Sequence, residues 1–322
     1  MNRLCRGIFY ILVVMTALAS LAQAQYPNKP VRLILPFPPG GAVDTLGRII
    51  GPRLSEALGQ QVVMENRPGA AGNIGAEIVA KSPPDGYTVL MGAQPLSISV
   101  TLYSKLGYDL VRDLAPVSLL ASTPNIVVVH PSVPAKSVKE LIALAKARPG
   151  QLDFASSGSG GSPHLAGALF NNLAGTRMQH IPYKGGGPAV IALVAGECSV
   201  GFATAPSVIH HVQSSRLRGL AVTSAQRAPL VPDLPTVSEA GVPGYEAGAW
   251  QGLLVPTGTR REIISRLQAE SSKVLKLPEV KEQMDATGLT PIGSTPEDFG
   301  AYLRSEIEKW GKVVRSVGMR VD

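Results

Sequence analysis

The pattern of apolar residues predicts an α/β protein of two lobes, each a mainly parallel sheet flanked by helices. Three observations predict it. Short β-branched runs alternate with helical spacings, the alternation restarts once near residue 122, and glycine-rich turns recur between a strand and the next helix. The composition permits two cores. Of 322 residues, 45% are hydrophobic and 16% charged, which excludes a disordered chain. The length suits two domains of roughly 100–200 residues. The 34 glycines and 27 prolines are scattered without a fixed period, excluding collagen-like and low-complexity chains.

The chain opens on an address. Arg3 and Arg6 precede an apolar run over residues 8–22, and Ala22-Gln23-Ala24 supplies a small-x-small cleavage pattern. This reads as a secretory signal peptide over 1–24, cut after Ala24. A membrane anchor is the rival, but the run falls short of the roughly 20 residues that span a bilayer. Cys5 leaves with the leader, so Cys198 is the sole mature cysteine and no internal disulfide forms. Its setting, opening an apparent strand, suits a buried inert thiol. The formal charge of +7 loses two units with Arg3 and Arg6, and the longest basic run is Arg260-Arg261. Nothing there forms a nucleic-acid footprint. The expectation is a soluble, exported, periplasmic protein.

Along the mature chain the elements follow in order. Residues 30–36 read as a strand, 43–58 as a helix closed by Gly59, 61–65 as a strand, 73–80 as a helix and 87–91 as a strand. Residues 92–97 read as a loop. Strands at 117–121 and 126–129 surround Thr123-Pro124, a natural crossing point. Ser137 and Glu140 form a capping box for a helix to Arg148. Strands at 152–155, 178–182, 199–203 and 217–222 enclose helices at 163–173 and 188–195. A strand at 253–255 and helices at 260–275, 278–286 and 296–316 complete the chain, with Thr259 and Thr295 as caps of the first and last. Lobe 1 is then 25–123 plus 226–322, lobe 2 is 124–225, and the hinges lie near 122–125 and 222–226.

Strand-to-helix turns at the carboxyl ends of parallel strands are where such a fold binds ligands. The first, Pro36-Phe37-Pro38-Pro39-Gly40-Gly41, is stiffened by proline and lets backbone approach a ligand at its glycines. The helix tip behind it suits an anion. Asp44 caps that helix or pairs with Arg48. The second turn, from Ser156 to His164, offers Ser157, Ser159, Gly161 and Ser162, with Ser162 as cap and Pro163 at the first helical position. It is neither a dinucleotide fingerprint nor a P-loop, and no serine sits in a nucleophile elbow. His164 either donates to a bound anion or bonds local backbone. Lys184, before Gly185-Gly186-Gly187, is either a cleft cation or a solvated side chain. Gln94 and Ser97 offer hydrogen bonds. Trp250 suits a core better than a ligand contact. The histidines are scattered, and the adjacent His210 and His211 make a poor metal pair. No metal site, cofactor site or catalytic constellation emerges.

The segments PFPPGGAVDTLGR, NRPGAAGNIGAEIVA, PPDGYTVLMG, GSGGSPHLAGALF, HIPYKGGGPAV, RGLAVTSAQR and PTVSEAGVPGYEAGAWQGLLVP carry a resemblance covering residues 26–322. In them the chain resembles the Bug-type, TctC-like solute-binding proteins of tripartite tricarboxylate transporters. The resemblance implies a Venus-flytrap fold of the type II kind, a small organic acid clamped between the lobes, and membrane permease subunits as partners of a monomeric receptor. Carried over, it implies a site made from Phe37, Pro39, Gly40, Gly41, Gln94, Ser97, Ser157, Ser159, Gly161, Ser162, His164, Thr204 and Ala205. The chain departs from the family pattern at Ala168, Ala192 and Ala203, the last replacing an acid expected at the cleft. The function expected is a transport receptor; a ligand sensor with the same fold and an exported hydrolase using His164 with a nearby serine are the alternatives.

Overall fold

The structure, a computed structural model, describes residues 26–320. The leader expected over 1–24 and its expected cleavage point lie outside the described residues. Two sheets define the two lobes. Lobe 1 begins with β1 (Val31–Leu35), α1 (Ala42–Leu58), β2 (Val62–Asn66), a 3-10 turn (Ala70–Gly72), α2 (Asn73–Ala80), β3 (Thr88–Ala93), α3 (Gln94–Leu102) and β4 (Leu114–Thr123). Lobe 2 follows with β5 (Asn125–Val129), α4 (Val138–Ala147), β6 (Asp153–Ser156), α5 (Ser162–Ala174), β7 (Gln179–Pro182), α6 (Gly186–Ala195), β8 (Val200–Thr204), α7 (Ala205–Gln213) and β9 (Arg218–Val222). The chain returns through β10 (Ala249–Pro256), α8 (Arg261–Leu275), α9 (Pro278–Thr287), β11 (Thr290–Pro291) and α10 (Pro296–Ser316).

The lobe 1 sheet runs β11-β4-β10-β3-β1-β2 and the lobe 2 sheet β7-β6-β8-β5-β9. Both are mixed. The parallel halves, β2-β1-β3 and β7-β6-β8, are those whose strands are joined by crossover helices. The strands that carry the chain between lobes, β4, β5 and β10, pair antiparallel, because each enters or leaves its sheet against the direction of its neighbours. Helices cover both faces, so β3 and β10 are buried along their whole length. The α1 helix shows how the pattern becomes a core: Leu46, Ile50, Leu54 and Leu58 are buried on one stripe. Gly59, at φ 70°, ends it.

Several sequence expectations change. Residues 94–102 form a helix, not a loop, and a further helix occupies 205–213. The low polarity of both segments hides a helical start that lacks any side-chain cap. The return hinge also moves. Residues 226–247 pack on lobe 2, where Val237, Val242, Tyr245 and Ala247 join its core, and Val237 N–H bonds Val222 O at 2.9 Å. The crossing lies at 247–249, beside Thr123-Pro124-Asn125, instead of 222–226. There Thr223 Oγ1 donates to Ala247 O at 2.9 Å and Asn125 Nδ2 to the same oxygen at 2.9 Å. Lobe 1 also reaches across: Ile98 and Leu102 of α3, with Trp310 and Val314 of α10, pack into the lobe 2 cluster. Cys198 is buried as expected, and burial pushes its thiol pKa up.

Two caps fall elsewhere. Gly161, not Ser162, precedes α5, and Arg260, not Thr259, precedes α8. Each hydroxyl is engaged by another group: Ser162 Oγ accepts from Asn125 Nδ2 at 3.2 Å, and Thr259 Oγ1 donates to Pro256 O at 2.7 Å. Ser137 and Thr295 do cap, accepting from Glu140 N and Asp298 N.

Candidate ligand-binding site

A cleft opens between the lobes. Five helices point their N-termini at it: α1 and α3 from lobe 1, and α5, α6 and α7 from lobe 2. None of the five carries a side-chain cap. Ala205 N–H of α7 donates to Pro124 O at 3.0 Å, and Pro95, Pro163, Pro188 and Pro206 carry no N–H. The remaining first-turn N–H groups have no side-chain cap, and each terminus brings the positive end of a helix dipole. Strand β10 supplies the floor through Ala249, Trp250 and Gln251. The walls are apolar, with Phe37, Val43, Pro95, Ala189 and Leu193. Among the described residues no ionisable side chain lines the cleft.

The two lobes touch at both rims. On one side Gly40 and Gly41 meet the Gly185-Gly186-Gly187 turn, where a methyl group placed on Gly40 would lie 3.9 Å from Gly187 Cα. Ser207 Oγ, from α7, donates to Gly40 O across the gap at 3.1 Å. On the other side a methyl on Gly160 would lie 2.7 Å from Leu102 Cδ2 and 3.4 Å from Ala71 Cβ. Ala70 and Ala71 hold positive φ values of 47° and 55° there. Non-glycine residues visit that region at a cost, and such strain gathers at functional sites. The glycines thus let the Gly40 rim close backbone to backbone beside Ser207, and let the Gly160 rim close directly on Leu102 and Ala71.

Each tip is held from behind. Gly40 N–H donates to Asp44 Oδ2 at 3.1 Å, and Arg48 Nε bonds the same oxygen at 2.9 Å. Burial pushes the Asp44 pKa up, but the bonds from Arg48, Gly40 and Asn66 outweigh it and the net shift is downward. At the second tip Gly160 N–H donates to His164 Nδ1 at 3.1 Å. The His164 ring stacks on His180, centroids 3.6 Å apart and planes 12° from parallel. His180 Nε2 bonds Ser156 Oγ at 2.6 Å, and Gly158 N–H donates to that hydroxyl at 3.1 Å. Burial, then the neighbouring His180, holds the His164 pKa down to about 3, and burial holds His180 down to about 4. Both imidazoles are neutral near pH 7, so His164 is a prop for the turn and carries no charge toward a ligand.

Of the expected residues, Phe37, Gly41, Gln94, Ser157, Ser162 and Thr204 line the cleft. Pro39, Gly40 and Ser159 are exposed on the tips. Gly161, Ser97 and Ala205 are buried behind it, with Ser97 Oγ donating to Gln94 O at 2.7 Å. Lys184 is exposed and outside the lining, as a solvated side chain. The sequence reading missed His180, Ser156, Ser207 and Gln251. His180 and Ser207 lie 16 or more residues from the tips they support, so no local pattern marks them, while Ser156 opens the second turn itself and only its bond to His180 was hidden. Trp250 packs on Phe299 and Tyr302 yet also forms part of the floor. Gln94 Nε2 donates to Gly248 O at the crossing, joining floor to hinge. Among the described residues no cluster suits a metal ion.

The comparisons with known proteins agree with this architecture. The profile of the tripartite tricarboxylate transporter family receptor matches residues 46–319. Protein BugT of Bordetella pertussis is 36% identical over 100% of this chain and 99% of its own. Among solved structures, Rpa4515 of R. palustris with adipate superposes with a TM-score of 0.89 at 37% identity, covering 92% of this chain and 99% of that one. MatC from Rhodopseudomonas palustris with bound malate gives 0.85 at 31% identity, covering 90% and 100%.

Proposed function

The chain belongs to the tripartite tricarboxylate transporter receptor family, whose members bind solutes and are not enzymes, and on that premise we propose that it is a periplasmic receptor for a small organic carboxylate. It clamps the acid between its lobes and hands it to the membrane permease subunits of the transporter, acting as a monomer. The signal peptide over residues 1–24 exports it. One observation carries the reading: five uncapped helix N-termini converge on a cleft that no ionisable side chain lines. Each terminus favours an anion by about 0.3–1 kcal/mol when exposed and up to about 2 when partly buried, so their sum is a usable affinity. The names of two relatives, which include adipate and malate, support the carboxylate class.

In this reading Phe37, Gly41, Gln94, Ser157, Ser162 and Thr204 contact the ligand. Pro39, Gly40, Ser159 and Gly161 shape the tips, while Ser97, His164 and Ala205 steady them. Closure shifts a pre-existing equilibrium between open and closed lobes, since only the closed form lets both lobes bond the ligand. A thermal-shift screen of small carboxylates tests the binding step. A ligand at a hundredfold excess over its Kd adds about 2.7 kcal/mol to stability. A flat melting temperature across the whole library overturns the reading. Delivery is tested by uptake of the labelled ligand in cells lacking the protein, where unimpaired uptake speaks against a transport role.

A further inference from the structure

The cleft is built for one sign of charge. Its lining holds no aspartate or glutamate, and every helix end facing it is positive. Two acids lie behind its walls, each already bonded to protein groups. Asp44 is taken by Gly40 N–H, Arg48 and Asn66. Glu306 accepts from Trp310 Nε1 at 2.9 Å, lies against Trp250 and Gln94 on the side away from the cleft lining, and faces a second crevice at the hinge; burial pushes its pKa up. An ammonium carried into the cleft would lose its water and meet no counter-charge; the amide oxygens of Gln94 and Gln251 can accept from it but do not balance its charge against the positive helix ends.

Neutral donors face a different reception. Gln94 and Gln251 both line the cleft, are 1% exposed, and each leaves its Oε1 buried without a partner. A buried acceptor left unpaired is costly, and a hydroxyl on a ligand would answer it without adding charge. The apolar walls at Val43, Ala189 and Leu193 suit a hydrocarbon body between the polar ends.

We propose that the cleft is a charge filter: it admits carboxylates with hydrocarbon or hydroxylated skeletons and rejects amino acids of the same skeleton. The proposal rests on the carboxylate reading above and narrows its ligand class. Ala203, buried at the end of β8 and part of the lining, is the position from which an acid would face an incoming ammonium.

The test is calorimetric titration of the full mature chain with adipate, 2-hydroxyadipate and 2-aminoadipate, and with succinate, malate and aspartate as a shorter series. The hydroxy acid should bind within about tenfold of the parent, and the amino acid about a hundredfold more weakly or worse. An amino acid binding within tenfold of its parent overturns the filter and leaves the carboxylate reading standing. Failure of all six, with a folded protein, overturns both. Ala203→Asp should narrow the ratio between parent and amino acid at least tenfold. If that variant does not fold, Thr204→Asp places the acid at a helix N-cap, which favours aspartate. An unchanged ratio in a folded variant counts against the filter.

Discussion

The two tips that face each other across the cleft use one backbone device with different chemistry behind it. In each, a glycine N–H donates to a side chain four residues on, Gly40 to Asp44 and Gly160 to His164, both at 3.1 Å. In lobe 1 the prop is an acid, neutralised by Arg48 and steadied by Asn66. In lobe 2 it is a neutral imidazole, steadied by stacking on His180. Neither arrangement brings a net charge to the helix tip at neutral pH, and that is what an anion site built from dipoles requires. The comparison teaches that the local geometry is the shared element and the prop is interchangeable, provided its charge is answered. The two differ in how they fail and in what they meet across the gap.

The largest effect tests the cleft itself. Gly41 has φ −100°, and no atom lies within 4 Å of where its Cβ would sit. A side chain there needs no backbone strain and projects into free space. Gly41→Trp should therefore fold with its melting temperature nearly unchanged and lose affinity more than about a hundredfold, by filling the site. Retained affinity in titration would remove the first tip from the binding surface.

The next test separates the rims. Gly160→Ala meets Leu102 at 2.7 Å and also suffers the positive φ of 77°. Gly40→Ala suffers a similar φ of 87° but meets only Gly187 Cα, at 3.9 Å. The φ penalty, about 1–2 kcal/mol, is common to both. Gly160→Ala should therefore weaken binding about tenfold or more, and Gly40→Ala several times less. Equal losses would mean that the lobes do not close on the Leu102 side as the structure has them.

Acid distinguishes the props. The folded-state pKa of His164 lies near 3 and that of His180 near 4, against 6.5 for the free side chain. Between pH 6.5 and 4 the unfolded chain takes up protons that the folded chain refuses, so stability is full above 6.5 and falls as pH drops. The loss is on the order of 1–3 kcal/mol, with His164 contributing more because His180 is more open to solvent. Asp44 runs the same way but at lower pH: its pKa is lowered from a carboxylate value, so its contribution holds through most of this window and is lost only at more acid pH. His164→Asn keeps an acceptor for Gly160 N–H and cannot titrate. Urea midpoints for this variant should fall less steeply from pH 6.5 to 4 than those of the unaltered chain, while Asp44→Asn should leave the slope there unchanged. Parallel slopes for His164→Asn would refute the imidazole prop.

Much of this was legible before the structure. The strand-and-helix order and the glycine tips follow from apolar periodicity and from turn chemistry, both of which act over a few residues. Asp44 and His164 were visible as first-turn residues, but their shared role was not, because it depends on the glycine N–H reaching forward four residues. The return hinge was misplaced because residues 226–247 contain no regular element; what holds them to lobe 2 is burial of Val237, Val242 and Tyr245. Gln94 was recognised as polar at the right place, yet its helix was hidden by a start, Ala93-Gln94-Pro95, that carries no cap. The uncapped starts are the trace of function: a ligand is expected where a cap would otherwise be.

The smallest expected effect concerns the single side-chain hydrogen bond across the Gly40 rim. Ser207 Oγ donates to Gly40 O at 3.1 Å and lies 2.8 Å from Thr204 Oγ1, itself a lining residue. The bond exists only when the lobes are closed, so it adds to the closed state alone and leaves the fold of either lobe untouched. A neutral hydrogen bond contributes about 0.5–1.5 kcal/mol net. Ser207→Ala should then shift the lobes toward the open form and weaken binding about two- to tenfold, chiefly through faster release of the ligand. The ligand-free melting temperature should barely move. Stopped-flow dissociation rates decide it: an unchanged off-rate would mean that the glycine contacts alone hold this rim, and that lobe 2 contributes only backbone to its closure.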